Sequence, residues 1–256
     1  VSMSASRIGV NLYSLRQYTQ TPADIAQTLH RVKQIGYDFV QISGIGPIDP
    51  KELRTMLDGE GLGVCATHIP YPDLRDKMDE VIEKHLIWGC KNCALGALPA
   101  ELRNRAGFEQ FAREGTEFGR KLAKAGLTFS YHNYHFEFER FNGRTGMEII
   151  FDGSDPAFLG AEIDTYWVQY GGGDPVAWIR RLKGREPLVH FKDYGIADMK
   201  PVFTEVGEGN LNWPAILSAC KEAGVQWYIV EQDSSLRDMF ESVAISIRNM
   251  KSWGLT

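Results

Sequence analysis

The chain of 256 residues has an ordinary globular composition, with 43% hydrophobic side chains and a formal net charge of −5. A negative chain lacks the basic face that usually holds a phosphate backbone, which argues against a nucleic-acid partner. No apolar run approaches the roughly 20 residues of a membrane-spanning helix, and the first residues lack the basic-then-apolar order of a signal peptide. The sequence therefore predicts a cytoplasmic protein, with homo-oligomerisation left open.

Short apolar or β-branched segments alternate with longer stretches of helical periodicity. The predicted strands span residues 7–12, 39–42, 64–68, 92–95, 127–131, 159–163, 188–191 and 227–230. The predicted helices span residues 22–36, 50–57, 73–88, 107–125, 145–151, 175–182, 213–223 and 238–250. Eight strand–helix units favour a closed (β/α)8 TIM barrel over an open doubly wound sheet. No linker interrupts them, so residues 1–256 are predicted to form one domain.

Four cysteines are too few and too scattered for a disulfide framework in a chain of this length. Cys90 and Cys93 have the spacing of a redox or zinc motif, but no second pair or nearby histidine pair completes a four-ligand site. We expect buried, unreactive thiols.

Polar residues follow several of the predicted strands, at the end of the barrel where catalytic groups of this fold lie. The sixth strand is followed by Asp164, the seventh contains His190 near its end, and the eighth is followed by Glu231. The fifth is followed by a segment with two histidines and a glutamate, His132 to Glu137. Burying such groups costs several kcal/mol unless they are paired or bind a metal. Taken singly, Asp164 could cap a loop, His190 could be a hydrogen-bonded core histidine, and Glu231 could form an ion pair. Taken together, these residues predict a divalent cation.

The predicted ligand set contains three carboxylates and one imidazole. Such a mostly oxygen set suits Mn²⁺ best, with Mg²⁺, Co²⁺ and Zn²⁺ as alternatives.

Several motifs make the chain resemble the xylose isomerase-like barrels of the sugar phosphate isomerase/epimerase group, over nearly its whole length. They are His132-Asn133-Tyr134-His135-Phe136-Glu137-Phe138, Glu162-Ile163-Asp164-Thr165-Tyr166-Trp167, Leu188-Val189-His190-Phe191-Lys192-Asp193, Val206-Gly207-Glu208-Gly209 and Tyr228-Ile229-Val230-Glu231-Gln232-Asp233. The resemblance implies a xylose isomerase-like TIM barrel that takes part in carbohydrate metabolism.

The resemblance also implies one metal ion held by a Glu after the fifth strand, the Asp of the sixth, the His of the seventh and the Glu of the eighth. The last three match Asp164, His190 and Glu231. The fifth-strand ligand is either Glu137, which we favour, or His132, which stands where relatives carry the glutamate.

The expected reaction is proton abstraction next to a carbonyl of a keto-sugar or cyclitol, as in an isomerase or epimerase. Glu137 and Glu231 are the expected bases, and His132 and His135 the expected acids. If Glu137 does not bind the metal, the two-carboxylate scheme of the epimerases is in doubt, and a histidine acid fits proton return or β-elimination better.

Four further residues are expected to bind the substrate. His68 would contact a sugar hydroxyl or be a hydrogen-bonded core histidine. Lys192 would stabilise an enolate, or pair with Asp193, Asp164 or Glu208. Trp167 offers a stacking face, or packs as most barrel aromatics do. Asn133 belongs to the fifth-strand motif and is the fourth.

Three other functional classes compete with the isomerase. The nearest is a dehydratase or lyase of inososes or 3-keto-glycosides, which would use the same enolisation. An endonuclease IV-like enzyme needs a His-rich mouth, whereas this chain has 6 histidines in all and a net charge of −5. A non-catalytic sugar-binding barrel would have lost the ligands. No phosphate loop is present in the sequence, which favours a non-phosphorylated substrate.

Overall fold

The computed structural model describes residues 7–256, in which eight parallel strands form a closed barrel. The strands are β1 Arg7–Asn11, β2 Phe39–Ile42, β3 Gly63–Ile69, β4 Asn92–Leu95, β5 Thr128–His132, β6 Gly160–Asp164, β7 Leu188–Phe191 and β8 Trp227–Val230. The barrel closes where β8 pairs with β1, with Arg7 opposite Trp227 and Val10 opposite Val230. The (β/α)8 prediction is confirmed.

Helices cover the outside of the barrel and connect its strands. They are α1 Pro22–Ile35, α2 Pro50–Glu60, α3 Tyr71–Asp76, α4 Met78–Trp88, α5 Arg105–Lys124, α6 Gly146–Asp152, α7 Thr165–Tyr170, α8 Pro175–Arg181, α9 Trp213–Ala223 and α10 Met239–Ser252. Thr21 caps α1 as the sequence predicts, since its hydroxyl accepts a hydrogen bond from the Asp24 N–H. The proline that follows a cap fits the first helical turn because its missing N–H would have no partner there.

The structure differs from the predicted elements in three places. The helix predicted over 73–88 is two helices, because Lys77 has non-helical dihedral angles (φ −134°, ψ 37°) and separates α3 from α4. The short helix α7 follows β6 directly, since the Asp164 side chain caps it. After β7 the chain forms an antiparallel hairpin of Asp193–Ala197 with Lys200–Thr204.

The core has an outer layer between strands and helices and a smaller layer inside the barrel. Cys65, Ala66, Leu188 and Ile229 form the inner layer. At the end where the strands begin, Phe39 and Trp227 pack against this layer and the Arg7 guanidinium lies over both rings. One end of the interior is thus filled by apolar packing, which leaves the other end for polar groups.

All four cysteines are free and buried, as expected. Burial raises the pKa of Cys90 to about 12, so its thiol stays protonated at neutral pH. None of the helices formed by residues 7–256 has the length and apolar character needed to cross a membrane.

Glu186, just before β7, is a buried carboxyl group away from the barrel mouth. Only 2% of the residue is exposed, and no side chain among residues 7–256 donates a hydrogen bond to either carboxylate oxygen. Burial raises the pKa of Glu186 well above its usual value. The folded protein therefore binds this proton more tightly than the unfolded chain does, and stability is lost as pH rises above the unfolded value.

We expect Glu186→Gln to stabilise the protein at pH 8 by more than about 1 kcal/mol and to have much less effect at pH 5. Urea unfolding of both proteins at the two pH values measures this. Glu80→Gln, at an exposed position on α4, is the control and should leave the pH dependence unchanged. Equal pH dependence in the wild type and Glu186→Gln would contradict the assignment.

Candidate metal and catalytic site

The ends of β5 to β8 bring ionisable side chains together inside the barrel. Alternate residues of a strand face the same side, so Glu162 and Asp164 on β6 point inward together, as do His190 and Lys192 at β7. Glu231 follows β8, and its residue is 4% exposed, while Asp164 and His190 are fully buried. The barrel geometry therefore concentrates charge at one mouth.

Four of these groups form a cluster with the spacing of a metal site: His132, Asp164, His190 and Glu231. Each offers one ligand atom, and the four atoms lie within 4.8 Å of one another. His132 Nε2 is 3.1 Å from Asp164 Oδ2, and His190 Nδ1 is 2.5 Å from Glu231 Oε2. We call these four residues the metal cluster.

The other ring nitrogen of each cluster histidine is held by an oxygen acceptor. His132 Nδ1 lies 2.9 Å from the Gly96 carbonyl oxygen, and His190 Nε2 lies 2.6 Å from Gln41 Oε1. Metal-binding histidines usually donate their second N–H in this way, which fixes the ring and the tautomer. His132 Nε2 and His190 Nδ1 thus face the carboxylates and would be the nitrogen ligands of a cation.

The charges of the cluster depend on one another. Burial would raise the pKa of the Asp164 carboxyl, but Lys192 and His132 outweigh it and hold that pKa well below the usual range. Burial likewise opposes charge on His190, but the Glu162 and Glu231 carboxylates outweigh it and raise the pKa of His190. The carboxylates are therefore ionised at neutral pH, as metal ligands must be.

Lys192 is buried beside the metal cluster, with 1% of the residue exposed. Its ammonium lies 2.7 Å from Asp233 Oδ1, 3.5 Å from Asp164 Oδ2 and 3.7 Å from Glu231 Oε2. The Trp167 ring centre lies 5.1 Å away on another side. Of the ion pairs considered for Lys192, the one with Asp164 is present, and Asp233 is a closer partner.

Glu162 is the main site residue that the sequence reasoning missed. Its buried carboxylate lies 2.6 Å from His68 Nε2, 3.0 Å from His190 Nε2 and 2.9 Å from Gln41 Nε2. Glu162 therefore joins a histidine at the barrel mouth to a histidine of the metal cluster. Its position two residues before Asp164 on the same strand was the available signal, because both must face inward.

His68 lies at the border between the buried charges and solvent. Its side chain is 10% exposed, and its Nδ1 is 3.1 Å from Ser43 Oγ. Burial lowers the pKa of His68, although the Glu162 carboxylate opposes that effect. His68 and Glu231 both line a cavity of about 380 Å³ that opens at this mouth.

Glu137 lies outside the metal cluster, in contrast to the ligand role that we favoured for it. Its carboxylate accepts hydrogen bonds from the Tyr131 hydroxyl (2.8 Å) and the Tyr134 N–H (3.0 Å). Burial raises the pKa of Glu137 to about 7, although these hydrogen bonds act to lower it. The side chain folds back on its own loop because the chain turns in a short 3-10 helix at Phe136–Phe138. His132, the alternative, occupies the fifth-strand position in the cluster.

The remaining expected site residues are placed in different surroundings. Asn133 is fully buried and accepts a hydrogen bond from the Asp164 N–H (2.9 Å), so it supports the end of β6 and does not face the cavity. His135 is exposed, with its ring 5.1 Å from that of Trp167 and no contact with the cluster. Trp167 donates its backbone N–H to Asp164 Oδ1 (3.0 Å).

The family model described as "Xylose isomerase-like TIM barrel" matches residues 29–252. The chain belongs to the xylose isomerase-like TIM barrel family.

Proteins similar to this chain have several different activities. A structure of a sugar phosphate isomerase/epimerase from Parabacteroides distasonis is 26% identical, with a TM-score of 0.79 over 98% of this chain and 96% of that one. A structure of L-ribulose 3-epimerase is 20% identical, with a TM-score of 0.73 over 98% of this chain and 94% of that one. An inosose dehydratase from Geobacillus kaustophilus is 24% identical over 81% of this chain and 79% of its own length.

Two of the motifs behind the family resemblance, the one containing Asp193 and the one containing Gly207–Gly209, are joined by hydrogen bonds. The buried Asp193 carboxylate accepts hydrogen bonds from the Gly207 and Gly209 N–H groups (both 2.9 Å) and from Trp213 Nε1 (2.7 Å). Gly207 has φ +95°, and a Cβ on Gly209 would lie 2.6 Å from Asp193 Oδ1. Asp193 thus anchors the connection from the barrel mouth to α9.

We expect Asp193→Asn to lower the free energy of unfolding by more than about 2 kcal/mol, because an amide group cannot accept all of these hydrogen bonds. Chemical denaturation measures the loss, and amide hydrogen exchange should accelerate at Gly207 and Gly209. Asp198→Asn, in the exposed hairpin turn at φ 48°, is the control and should change little. Unchanged exchange in Asp193→Asn would argue against the anchoring role.

Proposed function

We propose that the protein is a divalent-metal-dependent enzyme that removes a proton next to a carbonyl of a keto-sugar or cyclitol. The observation that carries the proposal is the metal cluster, in which two imidazoles with oriented rear nitrogens face two ionised carboxylates. This donor set suits Mn²⁺, Co²⁺ or Zn²⁺, and Mn²⁺ remains our first choice. When bound, such a cation acts as a Lewis acid that polarises a carbonyl and acidifies the neighbouring C–H bond.

The residues around the cluster supply the remaining parts of such a reaction. Glu231 lines the cavity and is the proposed base, since Glu137 lies outside the cluster. The Lys192 ammonium, beside Glu231 and Asp164, would stabilise negative charge that develops on the substrate oxygen. Both ring nitrogens of His132 are committed, one to Gly96 and one to the cluster, whereas His68 lines the cavity, and we propose that His68 returns the proton.

The position of Glu137 also favours one outcome of the enolisation. The metal cluster contains one glutamate, Glu231, beside the aspartate Asp164, so it does not supply the two opposed glutamate bases of the epimerase scheme. One glutamate base, Glu231, with His68 in the same cavity fits β-elimination, in which His68 protonates a departing hydroxyl or alkoxide group. The dehydratase or lyase alternative is therefore favoured over the isomerase or epimerase that we first expected, and the relation to an inosose dehydratase supports it.

We expect Asp164→Asn and Glu231→Gln each to weaken Mn²⁺ binding by more than about 100-fold, because each removes an anionic ligand. Equilibrium dialysis with metal analysis measures this without any substrate. Glu137→Gln is the matched control and should keep its metal. Loss of metal from Glu137→Gln with retention in His132→Gln would restore Glu137 as the ligand and contradict the proposed set.

We expect the Mn²⁺-loaded protein in D2O to act on at least one member of a panel of keto-sugars, inososes and 3-keto-glycosides. Elimination releases water or an aglycone, whereas epimerisation places deuterium on the sugar carbon without release. Nuclear magnetic resonance and mass spectrometry distinguish the two products. If neither occurs and sugars bind equally well with and without metal, the non-catalytic sugar-binding alternative replaces the enzyme.

A further inference from the structure

The cavity beside the metal cluster has an inner end and an outer part with different chemistry. His68 and Glu231 lie at its inner end, where the reacting part of a substrate would meet the metal cluster. Away from these two residues, in what we call the outer part, the walls are mainly ring-shaped and aliphatic: Tyr13, Tyr71, Ile69, Pro70 and Pro99. Tyr134 borders the inner end, because its ring lies 5.1 Å from that of His132. Apolar walls with few hydrogen-bonding groups stabilise an apolar ligand group more than a hydroxylated one.

The tyrosine walls are held in place before any ligand binds. The Arg16 guanidinium lies 4.3 Å from the centre of the Tyr13 ring, and Gly44 approaches so closely that a Cβ there would lie 2.7 Å from Tyr13 Cδ2. The Tyr71 hydroxyl donates to the Glu114 carboxylate. Little conformational entropy is therefore lost when a ring stacks against these side chains.

Tyr134 is fixed by its own loop. Its backbone N–H donates to Glu137, and its ring stacks on Phe136 at 5.8 Å with an interplanar angle of 11°. This gives the buried Glu137 a structural purpose that the metal-ligand prediction did not include.

The cavity provides no cation for a phosphate group. None of its lining residues within the described range 7–256 is lysine or arginine, and Glu231 adds a negative charge. The nearby α3 begins at Pro70-Tyr71-Pro72, where two of three residues have no backbone N–H, and Asp73 lies in its first turn.

The cavity is also larger than one sugar ring requires. Its volume of about 380 Å³ equals that of roughly 13 liquid waters at about 30 Å³ each. A hexose has a dozen non-hydrogen atoms, and covalently linked atoms pack more closely than separate waters. Space for a second group therefore remains after a sugar ring has entered.

We propose that the outer part of this cavity is a subsite for an uncharged aromatic aglycone, so that the substrate is an aryl glycoside of the keto-sugar and not a sugar phosphate. The inference rests on the proposed function for the reacting end of the substrate. Offset or edge-to-face contacts with Tyr13, Tyr71 and Tyr134 recognise the aromatic ring.

Carbonyl-free glycosides test the subsite by binding alone, because the proposed reaction cannot consume them. Calorimetric titration of the Mn²⁺-loaded protein compares phenyl with methyl β-D-glucopyranoside, and the same pair in the galacto configuration. We expect phenyl to bind at least about ten-fold more tightly in one pair or both, the equivalent of about 1.4 kcal/mol. Methyl β-D-glucopyranoside 6-phosphate should bind no more tightly than its unphosphorylated form.

Variants assign the preference to the cavity wall. Tyr13→Ala should reduce the phenyl-to-methyl ratio by at least about three-fold, whereas Tyr13→Phe keeps the ring face and should preserve the ratio. Tyr18→Ala is the matched control, because Tyr18 is a 39% exposed tyrosine on the same segment that packs against Phe240 and not in the cavity.

Three results would overturn the subsite. They are equal binding of phenyl and methyl glycosides in both configurations, tighter binding of the 6-phosphate, and tighter binding of methyl β-cellobioside than of the phenyl glucoside. The last would indicate a second sugar ring. A phenyl preference in a protein that catalyses neither exchange nor elimination would support the subsite while refuting the reaction. Catalysis without a phenyl preference would support the reaction while refuting the subsite.

Discussion

Mutual neutralisation of buried charges at one mouth of the barrel is the constraint on which the rest of the site depends. Glu162, Asp164 and Glu231 are each less than 5% exposed, and an isolated buried carboxylate is strongly unfavourable. Lys192 and the histidines supply the opposing charge. Removing any single member therefore leaves another charge unpaired, so function and local stability share the same residues.

A divalent cation is compatible with this charge balance because it is positively charged, like the protons that it would replace. His190 Nδ1 lies 2.5 Å from Glu231 Oε2 and His132 Nε2 lies 3.1 Å from Asp164 Oδ2, and each contact requires a proton between nitrogen and oxygen. The other nitrogen of each ring is held by Gly96 or Gln41, outside these contacts. The candidate ligand atoms would therefore need little rearrangement to hold a cation.

The two ends of the barrel interior have different roles: one end contributes to stability, and the other carries the candidate site. Apolar residues such as Leu188 and Ile229 fill the end where strands begin, whereas charged groups two residues later on the same strands face the mouth. This division arises from the period of two along a strand, since both sets point inward. The hydrogen bonds of Asp193 then fix the loop on the outer side of the same strand end. Successive residues at this strand end therefore alternate between facing the barrel mouth and fixing the loop.

The sequence by itself determined the barrel and three members of the proposed metal cluster. Its strand–helix alternation is a local property of hydrophobic periodicity, and Asp164, His190 and Glu231 occupy strand ends whose direction follows from that periodicity. The helix break at Lys77 and the hairpin after β7 were not predicted, because both depend on how the chain packs against its neighbours.

Only the tertiary structure shows that His132, and not Glu137, lies beside Asp164, His190 and Glu231, and that Glu162 contacts His68 and His190. His132 is the last residue of a strand, so its direction is fixed by pairing with Glu162 across β5 and β6. Glu137 lies in an irregular turn, where its direction depends on the partners it meets, and it binds Tyr131 and Tyr134. Side-chain direction follows from sequence in a paired strand but not in a loop, because only the strand has a backbone geometry imposed by its neighbours.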